Sequence, residues 1–489
     1  MISPEVRAKY RATIGIECHV QLKTKSKLFS AAGNDAREAP PNTLVNHIDF
    51  GLPGALPVVN KEAIHLAARA AFALGSKPQK FSIFERKHYF YPDLPTGYQI
   101  TQLEQPIVVG GLVELVVDGK ASTVRINRIQ IEADAGKNTH PTNKDYSLVD
   151  LNRAGTPLLE IVSEPDMHSP AEAKIYVREL YLRMKYADIS DANLYYGNMR
   201  FDVNVSVSKT DELGTRSETK NLNSFRAVEK AAEYEIGRQI ELLEKGETVV
   251  QETRGWDDAK QKTLSQRGKE EAHDYRYMPD PDLPPITLDD AYIEKVKKEM
   301  PTMPPEWRQR LADLGLDKAA IETLIEAEVE FSSAHLLSAL EQDLSDKAFT
   351  HTLANWIVNI LVPHYRDDNV VANDMIQRLD SFKAAHALTL DGKLSSTNAK
   401  KLVIHVSDSL EISDDIALMA KDQGLIQNSD ETELIAFVEK VLRDSPKAAE
   451  DVKNGEMKAI GFLVGQVMKV SQGKANPQLA QKLIKQQLN

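Results

Sequence analysis

The sequence predicts an α+β fold in which a sheet-rich region is followed by helices. Between residues 13 and 286, short segments of alternating apolar and polar residues are separated by clusters of Gly, Pro and Asn, a pattern typical of strands and turns. From residue 289 to about residue 411, apolar residues recur instead at helical spacing. A chain of 489 residues has room for about three domains, so we expect this change of pattern to mark a domain boundary.

Two helices are predicted within the sheet-rich region, over residues 61–74 and 226–245. In both segments the apolar residues fall at helical spacing, and Gly246 follows the last turn of the second, where glycine commonly ends a helix. We expect each helix to pack on one face of the sheet.

The segment 279–285, with the sequence PDPDLPP, is expected to be the exit from the first domain. Proline fixes φ and removes a hydrogen-bond donor, so the segment fits neither a helix nor a central strand. The helical region beyond it includes a predicted helix at 318–327 and an apolar run at 356–361. We expect Pro363 to terminate the helix that this run forms.

Composition and charge exclude several classes of protein. With 42% apolar residues and a formal net charge of −12, the chain is an ordinary globular protein whose overall field does not attract nucleic acid or anionic membranes. Cys18 is the single cysteine, which excludes an intramolecular disulfide and a Cys-rich zinc site. No stretch approaches about 18 consecutive apolar residues. We therefore expect a cytoplasmic protein without a signal peptide or a membrane span.

The charge of the C-terminal part changes sign along the chain. Residues 412–452 hold 4 basic and 10 acidic side chains, a net charge of −6, whereas residues 453–489 hold 6 lysines and one acid, a net charge of +5. Such a basic surface is either a solvated lysine face or a surface that contacts a phosphate backbone, and composition alone leaves both open. The lysines are Lys453, Lys458, Lys469, Lys474, Lys482 and Lys485.

Candidate site residues follow from the alternation of side chains along the predicted strands. In residues 13–23 the apolar side chains share one parity, which leaves Glu17 and His19 together on the opposite face. Residues 200–208 alternate in the same way and present Asp202. Two strands thus offer carboxylates and an imidazole on their polar faces.

Two further segments add acidic residues. Glu132 lies near the end of a predicted strand, residues 124–134, whose apolar phase slips between Ile126 and Ile129, and this slip predicts a β-bulge. Glu160 stands among apolar residues, where a charge is costly unless it is paired or coordinates a metal.

Each acid taken alone is more often a solvated or salt-bridged residue than a ligand. Their repetition, together with His19 and with Glu218 and Lys220 further along the chain, favours a site for a metal ion and a phosphate group. Carboxylates suit Mg²⁺ or Mn²⁺ as ligands. The imidazole is less usual for Mg²⁺, so Mn²⁺ and Zn²⁺ remain alternatives.

Any nucleotide has to be held by a metal and basic side chains, since the sequence contains neither a P-loop nor a GxGxxG fingerprint. The candidates are Arg86, Lys87 and Lys137. Several aromatic residues follow Lys87, and they either stack on a base or belong to the core.

Together these segments resemble one known family. The chain is similar nearly from end to end to the B subunit of the aspartyl/glutamyl-tRNA(Asn/Gln) amidotransferase. The most specific matches are DLNRAGTPLLEIVSEPD (residues 150–166) and DYRYMPDPDLPP (residues 274–285), which are too long to arise by chance. Further matches are IGIECHVQLKTKSKLFS, GLPGALPVVNKEA, KHYFYPDLPTGYQITQ, EADAGKNTH, TKNLNSFRAVEKA, GFLVGQVMK and GKANP.

The resemblance implies three domains: a cradle domain with an antiparallel sheet at residues 1–295, an all-helical domain at 296–411 and a small helical tail domain related to the YqeY family at 412–489. It implies an ATP-dependent reaction that phosphorylates the side-chain carboxylate of Glu-tRNA(Gln), Asp-tRNA(Asn) or both and then amidates it with ammonia. It also implies a heterotrimer with an amidase (the A subunit), which supplies the ammonia, and a small third protein (the C subunit). The basic tail is implied to contact tRNA.

The resemblance also assigns roles to the candidate residues. It implies that the ions, Mg²⁺ or Mn²⁺, are surrounded by catalytic residues at Glu17, His19, Glu132, Glu160 and Asp202. It implies phosphate contacts from Lys87 and Lys137, and a site completed by Glu218 and Lys220. In such a reaction ATP supplies a leaving group, and the metal neutralises the charge on the transferring phosphoryl group.

The chain departs from the family pattern at a few positions. Some family members carry a zinc knuckle before the GxPGxLP motif, but the matching positions here are Asn46 and Asp49, so no structural zinc is predicted. Thr96, Met278 and Asp280 replace residues that are common in the family. These differences affect fine substrate contacts and leave the expected reaction class unchanged.

Two other functions remain as alternatives at this point. One is a non-catalytic tRNA-binding scaffold, which the intact set of carboxylates argues against. The other is a free-standing ATP-dependent carboxylate–amine ligase, which the basic tail argues against.

Overall fold

The computed structural model of the chain describes residues 2–268, 275–367, 370–411, 415–427, 431–454, 456, 458–471 and 475–488. The chain divides into two compact units, Met1–Pro304 and Pro305–Asn489. The first unit is rich in strands and the second is helical, so the predicted α+β fold is confirmed. The division into three domains stays a prediction, and residues 412–414 at its second boundary lie outside the described residues.

Nine of the described strands form one sheet at the centre of the first unit. The strands of this unit are β1 (Arg11–Gln21), β2 (Phe81–Ser82), β3 (Glu85–His88), β4 (Tyr98–Thr101), β5 (Val108–Val109), β6 (Leu112–Val117), β7 (Lys120–Ala133), β8 (Lys137–Thr139), β9 (Leu148–Asp150), β10 (Pro157–Ser163), β11 (Met199–Ser208), β12 (Ser217–Leu222), β13 (Glu252–Asp257), β14 (Lys262–Gly268), β15 (Met278–Pro279) and β16 (Ile286–Thr287). The large sheet has the order β14-β13-β12-β11-β1-β10-β7-β5, and β6 also pairs with β7. Its pairs are antiparallel except for β12 with β13.

The helices of the first unit lie beside this sheet, and the third and fourth along the chain pack directly on it. They are α1 (Pro4–Arg7), α2 (Lys61–Ala73), α3 (Pro170–Tyr186), α4 (Phe225–Glu244) and α5 (Asp290–Lys298). The two predicted helices are confirmed as α2 and α4; α4 packs on β11 as expected, whereas α2 packs mainly against α3 and α5. The sequence analysis did not identify α3, whose buried side carries an ion pair between Glu179 and Arg183 that weakens the apolar periodicity.

Two local predictions for the first unit are confirmed. The β-bulge occurs in β7: Val162 faces Arg128 while Ser163 faces Ile126, which leaves Asn127 as the extra residue. The PDPDLPP segment forms no central strand, because β15 lies at the edge of a small sheet of order β15-β3-β4, where proline removes no ladder hydrogen bond. Asp274, the first residue of the matched motif around it, lies outside the described residues.

The second unit is built from helices. They are α6 (Pro304–Asp313), α7 (Lys318–Glu330), α8 (Leu336–Glu341), α9 (Lys347–Trp356), α10 (Val362–Asp367), α11 (Leu379–Leu390), α12 (Ser396–Asp408), α13 (Ile416–Asp422), α14 (Glu431–Asp444), α15 (Pro446–Lys453), α16 (Ala459–Val470) and α17 (Pro477–Leu488). The helix predicted at 318–327 is confirmed as α7. Helices α14 to α17 share a separate apolar core that includes Val438, Leu463 and Ile484.

The prediction that Pro363 terminates a helix is wrong. Helix α9 continues through a π-helical segment, Ile357–Leu361, into α10, and Pro363 is the second residue of α10. The wider π turn shifts the hydrogen-bond ladder just before the proline, so its missing N–H and its ring are accommodated without a break. Burial of Leu361 and Val362 holds the continuous helix in place.

A buried ion pair stabilises the loop around Asp49, and Gly155 lies against it. Lys27 Nζ lies 3.5 Å from Asp49 Oδ2, and Ser30 Oγ donates to the same carboxylate. Gly155 has φ +82°, and a Cβ at this position would lie 2.9 Å from Asp49 Oδ1. We expect Gly155→Ala to lower the free energy of unfolding by about 2–4 kcal/mol, because backbone strain adds to the overlap.

Chemical denaturation of the two variants Gly155→Ala and Gly54→Ala separates the backbone strain from the steric overlap with Asp49. Gly54 has nearly the same φ, +83°, but nothing lies within 4 Å of its Cβ position. We expect Gly54→Ala to lose only about 1 kcal/mol, from the backbone strain alone. Equal losses in the two variants would contradict the proposed overlap with Asp49.

Candidate active site

The predicted acidic residues lie on five neighbouring strands, on the sheet face opposite the apolar core. Antiparallel pairing places Glu160 of β10 opposite His19 of β1, and Asp202 of β11 opposite Glu17. Side chains paired in this way point to the same face. The polar side chains that alternation predicted on separate strands therefore lie close together, and they form two clusters.

The His19 cluster consists of His19, Glu132 and Glu160. One possible ligand atom from each lies within 4.8 Å of the others, and His19 Nε2 lies 3.6 Å from Glu132 Oε1. Gln130 Nε2 donates to Glu160 Oε2 at 2.6 Å, and Thr101 Oγ1 donates to Glu132 Oε2 at 3.3 Å. These neighbours fix one oxygen of each carboxylate.

The Asp202 cluster consists of Glu17, Asp202 and Glu218, which converge within the same 4.8 Å limit. Lys220 Nζ bridges two of them, at 3.0 Å from Asp202 Oδ2 and 3.1 Å from Glu218 Oε1. Asn204 Nδ2 donates to Glu17 Oε1 at 3.1 Å. Both clusters therefore share strand β1, which contributes Glu17 to one and His19 to the other.

Burial and the neighbouring negative charges raise the pKa values of two of these carboxyl groups. Burial, followed by the charges of Glu160 and Glu218, raises the pKa of Glu17. Burial and Glu160 raise the pKa of Glu132 to about 7. A divalent cation relieves this repulsion, because oxygen-rich sets of buried carboxylates suit hard cations. The donor sets therefore fit Mg²⁺ or Mn²⁺, with the His19 nitrogen favouring Mn²⁺.

The pKa values of two basic groups beside the carboxylates are raised although both groups are buried. Burial alone would lower the pKa of His19, but Glu160 and Glu132 outweigh it and raise that pKa. In the same way, Asp202 and Glu218 outweigh burial and raise the pKa of Lys220. Lys220 is therefore a charged group within the Asp202 cluster.

Lys87 of β3 faces the His19 cluster. Its Nζ lies 4.7 Å from the centre of the Tyr275 ring. Burial lowers the pKa of Lys87, but Tyr277 and the carboxylates Glu132 and Glu160 outweigh it, so the pKa is raised. The structure thus places Lys87 near the carboxylates of the His19 cluster, and its contact with phosphate stays a prediction.

Two of the predicted basic residues lie apart from both clusters. Lys137 is exposed on β8 and lines a polar cleft of about 610 Å³, which Gln21, the last residue of β1, also lines. Arg86 is engaged by Asp280 and Asp282, at 2.8 Å from each carboxylate. Arg86 therefore fastens the PDPDLPP segment to β3.

The sequence analysis missed Arg200 and Gln130. Arg200 Nη2 lies 3.2 Å from Asp134 Oδ2, and this carboxylate raises the pKa of Arg200. Arg200 shares the parity of Asp202 on β11, and Gln130 shares the parity of Glu132 on β7. The alternation that identified the acids would have found both residues if it had also been applied to basic and amide side chains.

Comparisons with known proteins decide the family. A sequence model of the GatB/GatE catalytic domain matches residues 12–294, and a model of the GatB domain matches residues 338–488. Over 487 residues the chain is 42% identical to the B subunit of the aspartyl/glutamyl-tRNA(Asn/Gln) amidotransferase of Thermotoga petrophila, covering 98% of this chain and 99% of that protein. The chain belongs to this B-subunit family. The same proteins of Thermoanaerobacter pseudethanolicus (42% identical; 98% and 100% covered) and Carboxydothermus hydrogenoformans (41%; 98% and 99%) are similar to the same extent.

Membership in the B-subunit family defines the kind of protein. The chain is one component of an amidotransferase of the carbon–nitrogen ligase class, and its family uses ATP. It is therefore part of a multi-subunit enzyme. Each helix in the described part of the chain is too short or too polar to cross a membrane.

Proposed function

We propose that this protein amidates Glu-tRNA(Gln), Asp-tRNA(Asn) or both through ATP-dependent activation of the side-chain carboxylate. An oxygen of that carboxylate attacks the γ-phosphorus of ATP, and ADP leaves. Ammonia then attacks the carbonyl carbon of the acyl phosphate, inorganic phosphate leaves, and the nitrogen loses a proton to give the amide. The observation that carries this proposal is the pair of carboxylate clusters that share β1 on one sheet face.

The two clusters are proposed to hold Mg²⁺ or Mn²⁺. The ligands would be Glu17, His19, Glu132, Glu160 and Asp202, with Glu218 completing the Asp202 cluster. A bound divalent ion neutralises charge on a transferring phosphoryl group. The convergence of the donor atoms and the raised pKa values of two carboxyl groups support this role.

Three lysines are proposed to contact phosphate groups of the substrates. Lys220 and Lys87 are charged and lie beside the Asp202 and His19 clusters respectively, so they can neutralise phosphoryl oxygens next to the ions. Lys137 lines the cleft beyond the end of β1 and is exposed to a substrate that enters there.

The ammonia is proposed to come from an amidase partner, the A subunit, within a heterotrimer that also contains the small C subunit. Cys18 is fully buried, and burial raises the pKa of its thiol well above the ordinary value. A thiol in this state is a poor nucleophile, so Cys18 does not suit the release of ammonia from glutamine. The position of Cys18 thus supports a separate ammonia source.

The formation of ADP by the assembled enzyme tests the proposed reaction. With ammonium and Mg²⁺ present, we expect ADP with Glu-tRNA(Gln) or Asp-tRNA(Asn) and none with uncharged tRNA or free glutamate. ADP formation with free glutamate would indicate a small-molecule ligase. Binding of tRNA without any ADP formation would indicate a scaffold.

The basic tail is proposed to contact the tRNA backbone. Five of its six lysines are exposed, and the sixth, Lys474, lies outside the described residues. We expect replacement of Lys469, Lys482 and Lys485 by Gln to weaken tRNA binding and to reduce the slope of log affinity against log salt by up to about 3. Binding measured across a series of salt concentrations checks this prediction.

A matched triple variant controls for the loss of charge itself. Lys421, Lys440 and Lys447 are also exposed but lie in the acidic segment, residues 412–452, outside the basic stretch at 453–489. Their replacement by Gln is expected to leave the salt slope nearly unchanged. Similar slopes for the two triple variants would refute a tail-specific contact.

A further inference from the structure

A small sheet lies against the His19 cluster. It consists of β15, β3 and β4, and the pairing of β3 with β4 places Lys87 and Thr101 on one face of it. Thr101 Oγ1 donates to Glu132 Oε2 at 3.3 Å, and Lys87 lies beside the carboxylates of the same cluster. This face of the small sheet is therefore turned towards the carboxylates.

Two tyrosines of the DYRYMPDPDLPP motif lie next to Lys87. Strand β15 pairs Met278 with Arg86, so Tyr277, one residue before Met278, comes beside Lys87. The centre of the Tyr275 ring lies 4.7 Å from Lys87 Nζ and 6.1 Å from the centre of the Tyr277 ring. The motif thus adds two aromatic rings to the face that meets the carboxylates.

A third ring extends this aromatic surface. The ring centres of Tyr89 and Tyr275 are 6.3 Å apart, and both contacts in the row are edge-to-face. Burial raises the pKa of Tyr277, and the charges of Glu160 and Glu132 add to this, which places the Tyr277 hydroxyl close to the His19 cluster. We call the three partly buried rings of Tyr89, Tyr275 and Tyr277 the tyrosine roof.

The segment 275–282, which carries two of these rings, is fastened to β3. His88 Nδ1 lies 3.0 Å from the carbonyl oxygen of Arg276. Arg86 Nε lies 2.8 Å from Asp280 Oδ2, and the side chain of Asp280 is fully buried. The fold itself therefore holds the two rings in place.

The acyl phosphate of the proposed reaction has a competing fate. Water can attack its carbonyl carbon in place of ammonia; inorganic phosphate then leaves, a proton is released and the original carboxylate is restored. Such a cycle consumes ATP without forming an amide. An enzyme that forms a reactive intermediate of this kind has to keep water away from it. Aromatic rings are suited to this task, because their apolar faces give water little to bind.

We propose that the tyrosine roof keeps water away from the acyl phosphate at the His19 cluster and so directs this intermediate to ammonia. The rings of Tyr275 and Tyr277 act through their shape and position, and their hydroxyl groups are not required. Both are positioning residues in this role. The inference rests on the proposed function, because it concerns the intermediate of that reaction.

The amount of ADP formed per amide by the assembled enzyme tests the proposal. With charged tRNA, ammonium and Mg²⁺, we expect about one ADP per amide from wild type and at least about 3-fold more from Tyr275→Ala and from Tyr277→Ala. Tyr275→Phe and Tyr277→Phe keep the rings and are expected to keep the wild-type ratio. Raising the ammonium concentration should lower the ratio of the alanine variants, because ammonia and water compete for the same carbon atom.

Tyr234→Ala is the matched control. Tyr234 is also partly buried and packs edge to face, against Trp256, but it belongs to α4, which packs on the other face of the large sheet. The control is expected to keep the wild-type ratio. A wild-type ratio in both alanine variants of the roof would overturn the proposal, as would a raised ratio in the phenylalanine variants or one that ammonium does not lower. Absence of ADP formation by the wild-type enzyme would count against the proposed function itself.

Discussion

Asp202→Asn is expected to lower the rate of amidation by about 10³-fold while tRNA affinity stays within a few-fold of wild type. The substitution keeps the size of the side chain but removes the charge that pairs with Lys220 and that is proposed to bind a divalent cation. The tail that is proposed to bind tRNA belongs to the other compact unit of the chain and is unchanged. Single-turnover amidation of charged tRNA with ammonium, together with equilibrium tRNA binding, measures both quantities.

Asp118→Asn is the matched control for this variant. Asp118 is exposed in the turn between β6 and β7, with φ +48°, a conformation that asparagine adopts as readily. The control is expected to amidate at the wild-type rate. A normal rate for Asp202→Asn, or a parallel loss of tRNA binding in a folded protein, would contradict the assigned metal-ligand role.

Glu235→Ala is expected to destabilise the first unit by about 3–5 kcal/mol. Glu235 of α4 is fully buried, and its carboxylate accepts hydrogen bonds from Ser217 at 2.6 Å, from Arg238 at 2.8 Å and from Thr263. Arg254 Nε lies 3.0 Å away. Removal of the carboxylate leaves Arg238 and Arg254 with Glu252, which pairs with both, as their remaining acidic partner. Chemical denaturation measures the loss.

The pH dependence of the same variant follows from the titration of Glu235. Burial would raise the pKa of Glu235, but the donors from Arg238, Ser217 and Thr263 outweigh burial and lower it. A carboxylate with a lowered pKa stabilises the fold above its unfolded-state value, about 4.3, and this stabilisation is lost as the pH falls through the folded-state pKa. We therefore expect the difference in stability between wild type and Glu235→Ala to shrink below about pH 4.

The variant Glu241→Ala tests whether the loss of stability comes from the buried carboxylate of Glu235 or from any substitution in α4. Glu241 lies on the same helix, but its side chain is 62% exposed and pairs with Lys245, which is also exposed. We expect this variant to leave the free energy of unfolding nearly unchanged. A loss comparable to that of Glu235→Ala would show that α4, rather than the buried carboxylate, is the sensitive element.

Most of the first unit could be predicted from periodicity, because its strands alternate and its two predicted helices repeat at fixed intervals. Exceptions occur where polar residues are buried or where a local rule competes with packing. Helix α3 was missed because Glu179 and Arg183 are both buried and paired. Pro363 was misinterpreted because a π turn and the burial of Leu361 outweigh its tendency to end a helix.

The sequence by itself determined the family resemblance, the α+β order and the face of each strand on which the acidic residues lie. Parity is a local property of a strand, so Glu17, Asp202 and Glu160 could each be assigned to a polar face from neighbouring residues alone. Only the tertiary structure decided which of these faces meet. Strand order and register are set by pairing between distant segments, and this pairing divides the acids into the His19 and Asp202 clusters and leaves Lys137 in a separate cleft.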